Sequence, residues 1–260
     1  MLKPMTFLLL VTVPIVAAGC EDSTPENVTT ENTTPEEPEP FKYKVSRLKE
    51  PITINSVWDK PQWRNVKPLE IKNYMGEEPE YQPVTQAKVL YDDENIYVIF
   101  RVEDQYVRAV AEEYHGPVWK DSCVEFFFTP GEDLSLGYLN LEVNCGGTAL
   151  FHYQKAPGRD VKEIGLVDME QIRIAHSLPR IVDPEITIPT TWTIEYRLPL
   201  AIIEKYCQVN RPGAGVIWRA NFYKCAENNS HPHWLTWAFV DNPTPSFHKP
   251  EFFGTLEFAE

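Results

Sequence analysis

The amino-acid sequence predicts an all-β fold of the sandwich or barrel type. Many short apolar runs, separated by turn residues, follow one another from residue 42 to the C-terminus, which is typical of such folds. Only Leu200–Tyr206, directly after Pro199, has a short helical pattern. The segment 42–260 has a suitable length for one large β domain. We therefore expect a single all-β domain with one short helix.

The predicted strands are the apolar runs that turn signals bound on both sides. The clearest of them are Ala87–Tyr91, Asn95–Glu103, Ser122–Thr129, Tyr138–Cys145, Thr191–Leu198, Val216–Cys225 and Leu235–Phe239. We expect Ala149–Tyr153 and Gln171–Ala175 to be strands as well. The acidic residues Asp92-Asp93-Glu94 stand between the first two strands and indicate a β-hairpin there.

The N-terminus predicts export from the cell. Lys3 precedes an apolar run over residues 5–16, and small residues then lead to Cys20, which is the organisation of a signal peptide. The run is short for a membrane span and contains Pro14. Ala17-Ala18-Gly19-Cys20 resembles a bacterial lipobox, in which the Cys is acylated and becomes the new N-terminus. Residues 1–19 are therefore predicted to be a signal peptide, and Cys20 a lipidation site.

The segment 20–41, which begins at the lipidated Cys, is predicted to be a disordered stalk. Residues 21–40 are rich in acidic residues, Thr and Pro, and they include no basic side chain. Such a segment buries too little apolar surface to offset the entropy lost on ordering. Glu21-Asp22 resembles the export signals of some surface lipoproteins. We therefore expect a lipid-anchored envelope protein, in the outer membrane, whose domain spans residues 42–260.

The net charge of the chain narrows the classes of binding partner that are expected. The formal net charge is −14, whereas nucleic-acid binding needs a clustered basic face. Nucleic acid is therefore excluded as the expected partner, and membrane contact is expected through the lipid anchor only. Besides Cys20 there are four cysteines, Cys123, Cys145, Cys207 and Cys225, without a CxxC pair. Buried free thiols and one or two disulfides both remain open.

Five blocks of the sequence together carry a resemblance to a known family. In chain order they are Ala87–Val98, Trp119–Phe127, Tyr138–Asn144, Trp192–Pro199 with Trp218–Tyr223, and Trp237 with Phe247–Gly254. Their order and spacing resemble carbohydrate-binding module family 9 from about Val57 to the C-terminus. The resemblance implies an antiparallel, jelly-roll-like β-sandwich with a concave, non-catalytic sugar site. Members of this family occur attached to glycan-degrading enzymes and as free-standing exported proteins.

The resemblance also implies the residues of the sugar site. Members hold a sugar ring between two aromatic side chains, and Trp119 and Phe247 stand at the matching positions. Glu125, six residues after Trp119, and Asn221 match the family's polar contacts. Flat aromatic faces stack on the C–H faces of a pyranose, and carboxylates accept hydrogen bonds from its hydroxyls. The expected ligand is an oligosaccharide or polysaccharide.

Two positions depart from the family pattern. Glu142 stands where the family's sugar-binding example has an Arg, and Lys224 stands where it has an Asp. The charges look exchanged, so we expect Glu142 and Lys224 to form a polar rim that is adapted to a different sugar. Phe247 in place of a Trp offers a smaller stacking face.

Two other classes of function stay open at this stage. Glu125 and Glu142, if they are neighbours on adjacent strands, could serve a glycoside hydrolase, which needs two carboxylates about 5 to 10 Å apart. His231, His233 and His248 could serve a haem- or metal-binding electron-transfer module. No cofactor is predicted, although family members often carry structural calcium, for which Asp104 would be a possible ligand. The leading hypothesis is a non-catalytic lipoprotein that captures glycan for a degradation or uptake system.

Overall fold

The computed structural model describes residues 41–260. The predicted signal peptide, Cys20 and the stalk up to Pro40 lie outside this range. The described residues form strands whose bounds are, in chain order, β1 Lys42–Arg47, β2 Leu69–Glu70, β3 Asn73–Tyr74, β4 Val84–Tyr91, β5 Asn95–Asp104, β6 Val107–Ala109, β7 Cys123–Thr129, β8 Tyr138–Asn144, β9 Ala149–Gln154, β10 Lys162–Glu163, β11 Arg173–His176, β12 Val182–Ile186, β13 Thr190–Pro199, β14 Ile217–Ala226, β15 His233–Thr236 and β16 Gly254–Ala259.

Helices are few and short. The α-helices are α1 Pro61–Arg64, α2 Leu166–Met169 and α3 Leu200–Ile203, and the 3-10 turns are Val118–Lys120, Leu134–Leu136 and Pro250–Phe252. The predicted helix after Pro199 is therefore present as α3 but is shorter than expected, and α1 and α2 were not predicted. Within residues 41–260, no helix is both long enough and apolar enough to cross a membrane.

Most of the strands belong to one strongly curled sheet. It has 14 strands, and its main path runs β10-β9-β8-β7-β14-β16-β1-β4-β5-β13-β11, while β12 and β6 form a separate pair. The hairpin predicted at Asp92-Asp93-Glu94 joins β4 and β5, which pair in an antiparallel register from Tyr91↔Ile96 to Val84↔Glu103. The expected all-β sandwich is confirmed.

The sheet is mixed rather than purely antiparallel, which corrects one expectation. Strand β1 pairs in parallel with β16, as in Tyr43↔Leu256, and in parallel with β4, as in Ser46↔Leu90. β1 thus lies between β16, the last strand of the domain, and β4. The local apolar pattern does not indicate whether such a long-range pairing is parallel or antiparallel, because parallel and antiparallel strands bury the same alternating side chains.

Aromatic side chains fill the space between the two halves of the curled sheet. Phe100 of β5 and Phe222 of β14 come from opposite halves, and their ring centroids lie 6.1 Å apart. Trp192 and Trp218 are fully buried in the same cluster. Large aromatic side chains of this kind provide most of the apolar burial that holds two sheets together.

A second, smaller cluster lies on the other face of β7, β8 and β14. It includes Phe127, Tyr138, Tyr223 and Phe247, whereas Phe126 belongs to the main core. Successive side chains of a strand point to opposite faces. These strands therefore build the core with one face and present the other face to a groove, which loops close from above.

Candidate functional site

The groove lies over β7, β8, β9 and β14 and has a volume of about 370 Å³. Its floor is built from strand residues and its walls from the 3-10 turn at Val118–Lys120, strand β15 and the segment 245–248. The lining residues are Trp119, Glu125, Phe127, Asn140, Glu142, Leu150, His152, Gln154, Cys225, Glu227, Trp234, Pro245, Ser246, Phe247 and His248. Aromatic and apolar side chains with a few polar groups are the usual lining of a small-molecule site.

Two carboxylates face each other on the floor of the groove. Glu125 of β7 and Glu142 of β8 are paired directly across the antiparallel ladder. The bond from the Cys145 amide to the Ser122 carbonyl makes Ser122 and Cys145 a hydrogen-bonded pair, so alternation makes Glu125 and Glu142 a non-hydrogen-bonded pair. In such pairs the Cα atoms lie roughly 4.5 Å apart and the side chains are closest. The structure thus brings together the two carboxylates that the sequence suggested could be neighbours.

Both carboxylates are buried and have few hydrogen-bond donors. Glu125 is 2% exposed and Glu142 is 5% exposed. Oε1 of Glu142 accepts a hydrogen bond of 3.0 Å from the Asn140 amide. Oε1 of Glu125 accepts one of 3.1 Å from the Cys225 thiol, which is a weak donor. Such burial disfavours the charged form of each group.

The pKa values of the two carboxyl groups rise accordingly. Burial raises the pKa of Glu142 to about 7, against the lowering effect of the Asn140 hydrogen bond and with a smaller raising contribution from Glu227. Burial also raises the pKa of Glu125 well above its usual range, and the neighbouring Cys225 and Glu142 add to this. Because the groups interact, they titrate as a pair. Near neutral pH the pair therefore retains a proton.

Two half-buried tryptophans line the groove. Trp119 lies in the 3-10 turn that precedes β7, and Trp234 lies on β15. The Trp234 indole N–H donates a hydrogen bond of 3.4 Å to Glu227, which also lines the groove. Both indole rings keep a solvent-accessible part that can stack on an apolar ligand face. Trp119 was predicted as a stacking residue, whereas Trp234 was not among the predicted site residues.

Phe247 lines the groove but is largely packed. It is 8% exposed, and its ring stacks on Tyr223 with centroids 4.2 Å apart and an interplanar angle of 15°. The Tyr223 hydroxyl donates a hydrogen bond to the Phe247 carbonyl, which holds the segment against β14. One face of Phe247 is therefore occupied by the protein, and Trp234 offers the larger accessible aromatic surface.

A neutral polar cluster forms another side of the groove. Nδ1 of His248 lies 2.8 Å from the Tyr138 hydroxyl and 3.3 Å from the Gln154 side-chain nitrogen. Burial lowers the pKa of His248 to about 4, and His152 contributes to this. Burial and the neighbouring His115 also lower the pKa of His152. His152 and Gln154 were not identified from the sequence, although alternation with Phe151 and Tyr153 on β9 could have placed them on the groove side.

Asn221 does not line the groove. Its side-chain nitrogen donates a hydrogen bond of 3.0 Å to the Ala238 carbonyl, and its side-chain oxygen accepts one of 2.8 Å from the Ala238 amide. It is fully buried. Asn221 therefore has a structural role in the fold, since it ties the segment after β15 to β14.

Lys224 lies on the opposite face of the sheet, which corrects the expectation of a charged rim. It pairs with Val124 of the core face, and its ammonium lies 3.7 Å from Oδ2 of Asp104 with both side chains fully buried. The ammonium also lies 2.7 Å from Nε2 of His233 and donates to the Cys225 carbonyl. The charge exchange inferred from the resemblance therefore does not form one polar rim with Glu142.

The metal ligands considered from the sequence are not assembled. His231 stacks on Tyr106 with centroids 3.6 Å apart, and His233 is occupied by Lys224. Asp104 faces the Lys224 ammonium, so a lysine already supplies the positive charge beside this possible calcium ligand. Within residues 41–260, the ligating groups that lie within 4.8 Å of one another are those of Cys123, Glu125 and Cys225.

The cysteines are free thiols in the structure. Cys123 and Cys225 are directly opposite on β7 and β14, and they are unbridged, as are Cys145 and Cys207. Burial raises the pKa of Cys123 to about 12 and that of Cys225 well above its usual value. Both thiols are therefore protonated at neutral pH.

A curved β-sandwich that carries an aromatic-walled groove with convergent polar groups defines a ligand-binding domain. Residues 59–258 match the sequence profile described as carbohydrate-binding family 9. The chain belongs to this family, whose modules are non-catalytic binding domains. No curated protein was found that matches this chain.

Solved structures share the fold. A candidate carbohydrate-binding protein from Bacteroides uniformis is 25% identical, with a TM-score of 0.75 over 84% of this chain and 99% of that chain. A carbohydrate-binding module of family 9 from Caldicellulosiruptor kristjanssonii, in complex with cellotriose, is 17% identical, with a TM-score of 0.57 over 84% of this chain and 93% of that chain. The same module in complex with glucose matches at the same identity and TM-score and covers 84% and 95% of the two chains.

Proposed function

We propose that the groove between Trp119 and Trp234 captures the end of a glycan without cleaving it. The observation that carries this is the placement of two half-buried indole rings around the carboxylates of Glu125 and Glu142 in a member of a carbohydrate-binding family. The indole faces stack on the C–H faces of a sugar ring, and the carboxylates and amides of the floor bind its hydroxyls. The groove volume suits one or two sugar rings.

The experiment is a glycan screen with matched variants. Purified chain is tested by glycan array and then by isothermal titration calorimetry, beside Trp119→Ala and Tyr114→Ala. Tyr114 is also a partly exposed aromatic residue, but it lies outside the groove. We expect Trp119→Ala to lose binding and Tyr114→Ala to keep it. A wild-type chain that binds no glycan, or a Trp119→Ala variant that binds equally well, would overturn the proposal.

The absence of cleavage is tested on whatever oligosaccharide binds. After prolonged incubation with the chain, chromatography is expected to recover the oligosaccharide intact. Release of shorter sugars, lost in Glu125→Gln, would instead support a glycoside hydrolase that uses the Glu125 and Glu142 pair.

We further propose that the protein is an exported lipoprotein, anchored through Cys20 in the outer membrane, and that it serves a glycan degradation or uptake system. The lipobox-like sequence and the acidic segment that follows support this. Metabolic labelling with a fatty acid is expected to label the wild-type chain and Cys207→Ser, but not Cys20→Ser. Membrane fractionation and protease treatment of whole cells then report the membrane and the side on which the domain lies. Labelling of Cys20→Ser would contradict the anchor.

A further inference from the structure

The groove has an unusual charge balance for a site that would receive a neutral sugar. Three carboxylates line it, those of Glu125, Glu142 and Glu227, and none of the lining residues is Lys or Arg. Four lysines are chain neighbours of lining residues, but none of them lines the groove: Lys120, Lys155, Lys224 and Lys249. Lys224 lies on the other face of the sheet and is paired with Asp104. The histidines of the groove are kept neutral by burial. Within the described residues, the groove therefore supplies acceptors and negative charge without a compensating cation.

The two floor carboxylates converge on the same space. Their side chains stand at the closest kind of cross-strand position, and like charges directly opposite are destabilising in a sheet. Among the described residues, each carboxylate is bonded through Oε1 only, to Cys225 and to Asn140 respectively. Oε2 of Glu125 and Oε2 of Glu142 have no such donor. A buried carboxylate with a single donor is costly, so the pair is poised to bind a group that brings both protons and positive charge.

On the basis of the proposed function, we propose that the groove selects a sugar with a free primary ammonium, such as a 2-amino-2-deoxyhexose at the end of an oligosaccharide. An ammonium has three N–H donors and no acceptor, which matches a site of carboxylate oxygens that lack donors. Charge-assisted hydrogen bonds of this kind are about twice as strong as neutral ones. The indole faces of Trp119 and Trp234 also attract a cation.

The same charge balance disfavours other classes of sugar. A uronate or a sulfated sugar would bring negative charge next to Glu125, Glu142 and Glu227 without a lysine or arginine to receive it. An N-acetylated amino sugar carries no charge, and its acetamide offers one donor in place of three. A neutral sugar can donate its hydroxyls, but it leaves the proton shared by the floor carboxylates in place.

Proton release gives the proposal a second readout. An ammonium that binds between the carboxylates displaces the proton that they hold near neutral pH, so binding becomes stronger as the pH rises through the titration of the pair. The amine of an amino sugar also titrates near neutral pH, so the affinity passes through a maximum there, and protons are released on the acidic side of this maximum. The other titratable groups near the floor are Glu227, Cys123, Cys225, Tyr138, Tyr223, His152 and His248. The cysteines, tyrosines and histidines among them are neutral near neutral pH, because burial raises the pKa values of the thiols and hydroxyls and lowers those of the imidazoles.

The test uses three tetrasaccharides of one backbone that differ only at C2. They are the β-1,4-linked tetramers of glucose, of N-acetylglucosamine and of glucosamine, titrated into the full chain by calorimetry at several pH values. We expect the glucosamine tetramer to bind at least about tenfold more tightly than either of the others at about pH 6, where the amine of the sugar is still largely protonated. Its binding is also expected to release protons, which shows as a dependence of the heat on the ionisation enthalpy of the buffer.

Variants distinguish an effect of the groove carboxylates from an effect of the overall negative charge of the chain. Glu142→Gln removes one floor charge with little change of shape and is expected to abolish the preference, while Glu170→Gln, at an exposed site outside the groove, is expected to keep it. Thermal melting shows whether each variant is folded. Tetralysine is a polycation without a sugar, and binding of tetralysine as tight as that of the glucosamine tetramer would overturn the proposal.

The remaining outcomes distinguish a failure of the ammonium preference from a failure of glycan capture itself. If the glucose tetramer binds as well as the glucosamine tetramer, with loss in Trp119→Ala, the ammonium preference is wrong and glycan capture stands. A preference for the glucosamine tetramer that Glu142→Gln leaves unchanged also overturns the ammonium site. If none of the three tetramers and no glycan of the array binds, the proposed function fails together with this inference.

Discussion

Lys224 and Asp104 form an ion pair in the interior of the domain, with Nζ and Oδ2 3.7 Å apart and both side chains fully buried. The pair joins β14 in one half of the curled sheet to the end of β5 in the other. The Lys224 ammonium is further held by His233 and by the Cys225 carbonyl, and two backbone amides donate to Oδ1 of Asp104. A fully buried charge has no solvent around it, so its stabilisation depends on its partners in the protein.

Removing one partner of this pair should destabilise the fold without affecting ligand binding directly. Lys224→Met leaves the Asp104 carboxylate buried without its cation, so we expect a loss of about 3 to 5 kcal/mol in the free energy of unfolding. Lys72→Met is the control, since Lys72 and its partner Glu70 are both exposed at the surface, where loss of a pair costs about 1 kcal/mol or less. Urea unfolding measures both. Equal effects of the two substitutions would show that the buried pair is not important for stability.

The position of Lys224 also shows where sequence reasoning reached its limit. Alternation along β14 places Lys224 on the same face as the core residue Phe222, but the resemblance to the family placed it at the ligand. A lysine in a core is unexpected unless a buried partner exists, and Asp104 is 120 positions away in the chain, on another strand. The alternation rule was the better guide here, because the geometry of a strand applies whatever side chain occupies it.

The carboxylate pair was more predictable. Glu125 lies between Val124 and Phe126, so its direction followed from the sequence, and the register of β7 with β8 then brought Glu142 opposite. The degree to which Phe247 is packed could not be predicted, because it depends on Tyr223 from a strand that is remote in the chain. The parallel pairing of β1 could not be predicted either, since it depends on which strands meet in the fold and not on the local sequence pattern.

Glu142→Gln should change how stability depends on pH. The folded pKa of Glu142 is raised to about 7 from an ordinary value of 4.5, so its contribution to stability is fully present below pH 4.5 and is lost as the pH rises through 7. The difference in unfolding free energy, wild type minus Glu142→Gln, is expected to fall by about 3 kcal/mol across this window and to stay constant above it. Denaturant unfolding at a series of pH values measures this difference.

The histidines oppose this trend in the wild type, which is why the difference between variants is the useful quantity. The folded pKa of His248 is lowered to about 4, so its contribution is present above the unfolded value and is lost as the pH falls towards 4. This contribution is common to wild type and Glu142→Gln. A difference that does not vary with pH would contradict the raised pKa of Glu142.

Substitution of Trp234 or of its neighbour Trp237 should have different effects, one on ligand binding and the other on the stability of the fold. Trp234 is half-buried and lines the groove, whereas Trp237 is buried in the main core and packs edge-to-face on Phe222. Trp234→Ala is expected to weaken binding of the preferred glycan by about 2 kcal/mol with little change in melting temperature. Trp237→Ala is expected to destabilise the fold by about 3 to 5 kcal/mol. Calorimetry and thermal melting together measure both effects. Unchanged glycan affinity in Trp234→Ala would remove Trp234 from the site.

The cysteines should react slowly in the folded protein and completely after unfolding. Burial raises the pKa values of Cys123 and Cys145 to about 12 and that of Cys207 to about 11, and the thiolate is the reactive form. In a Cys20→Ser chain at pH 8, we expect little rapid reaction with a thiol reagent, and Cys207, which is only half-buried, should react first. In denaturant without reductant, the four cysteines Cys123, Cys145, Cys207 and Cys225 should all titrate, because each is a free thiol. Cys207→Ser is the matched control and should remove the first reacting thiol alone.

Recovery of only two thiols after unfolding, restored to four by a reductant, would instead show a disulfide bridge. Cys123 and Cys225 are the pair placed to form it, since they stand opposite each other on β7 and β14.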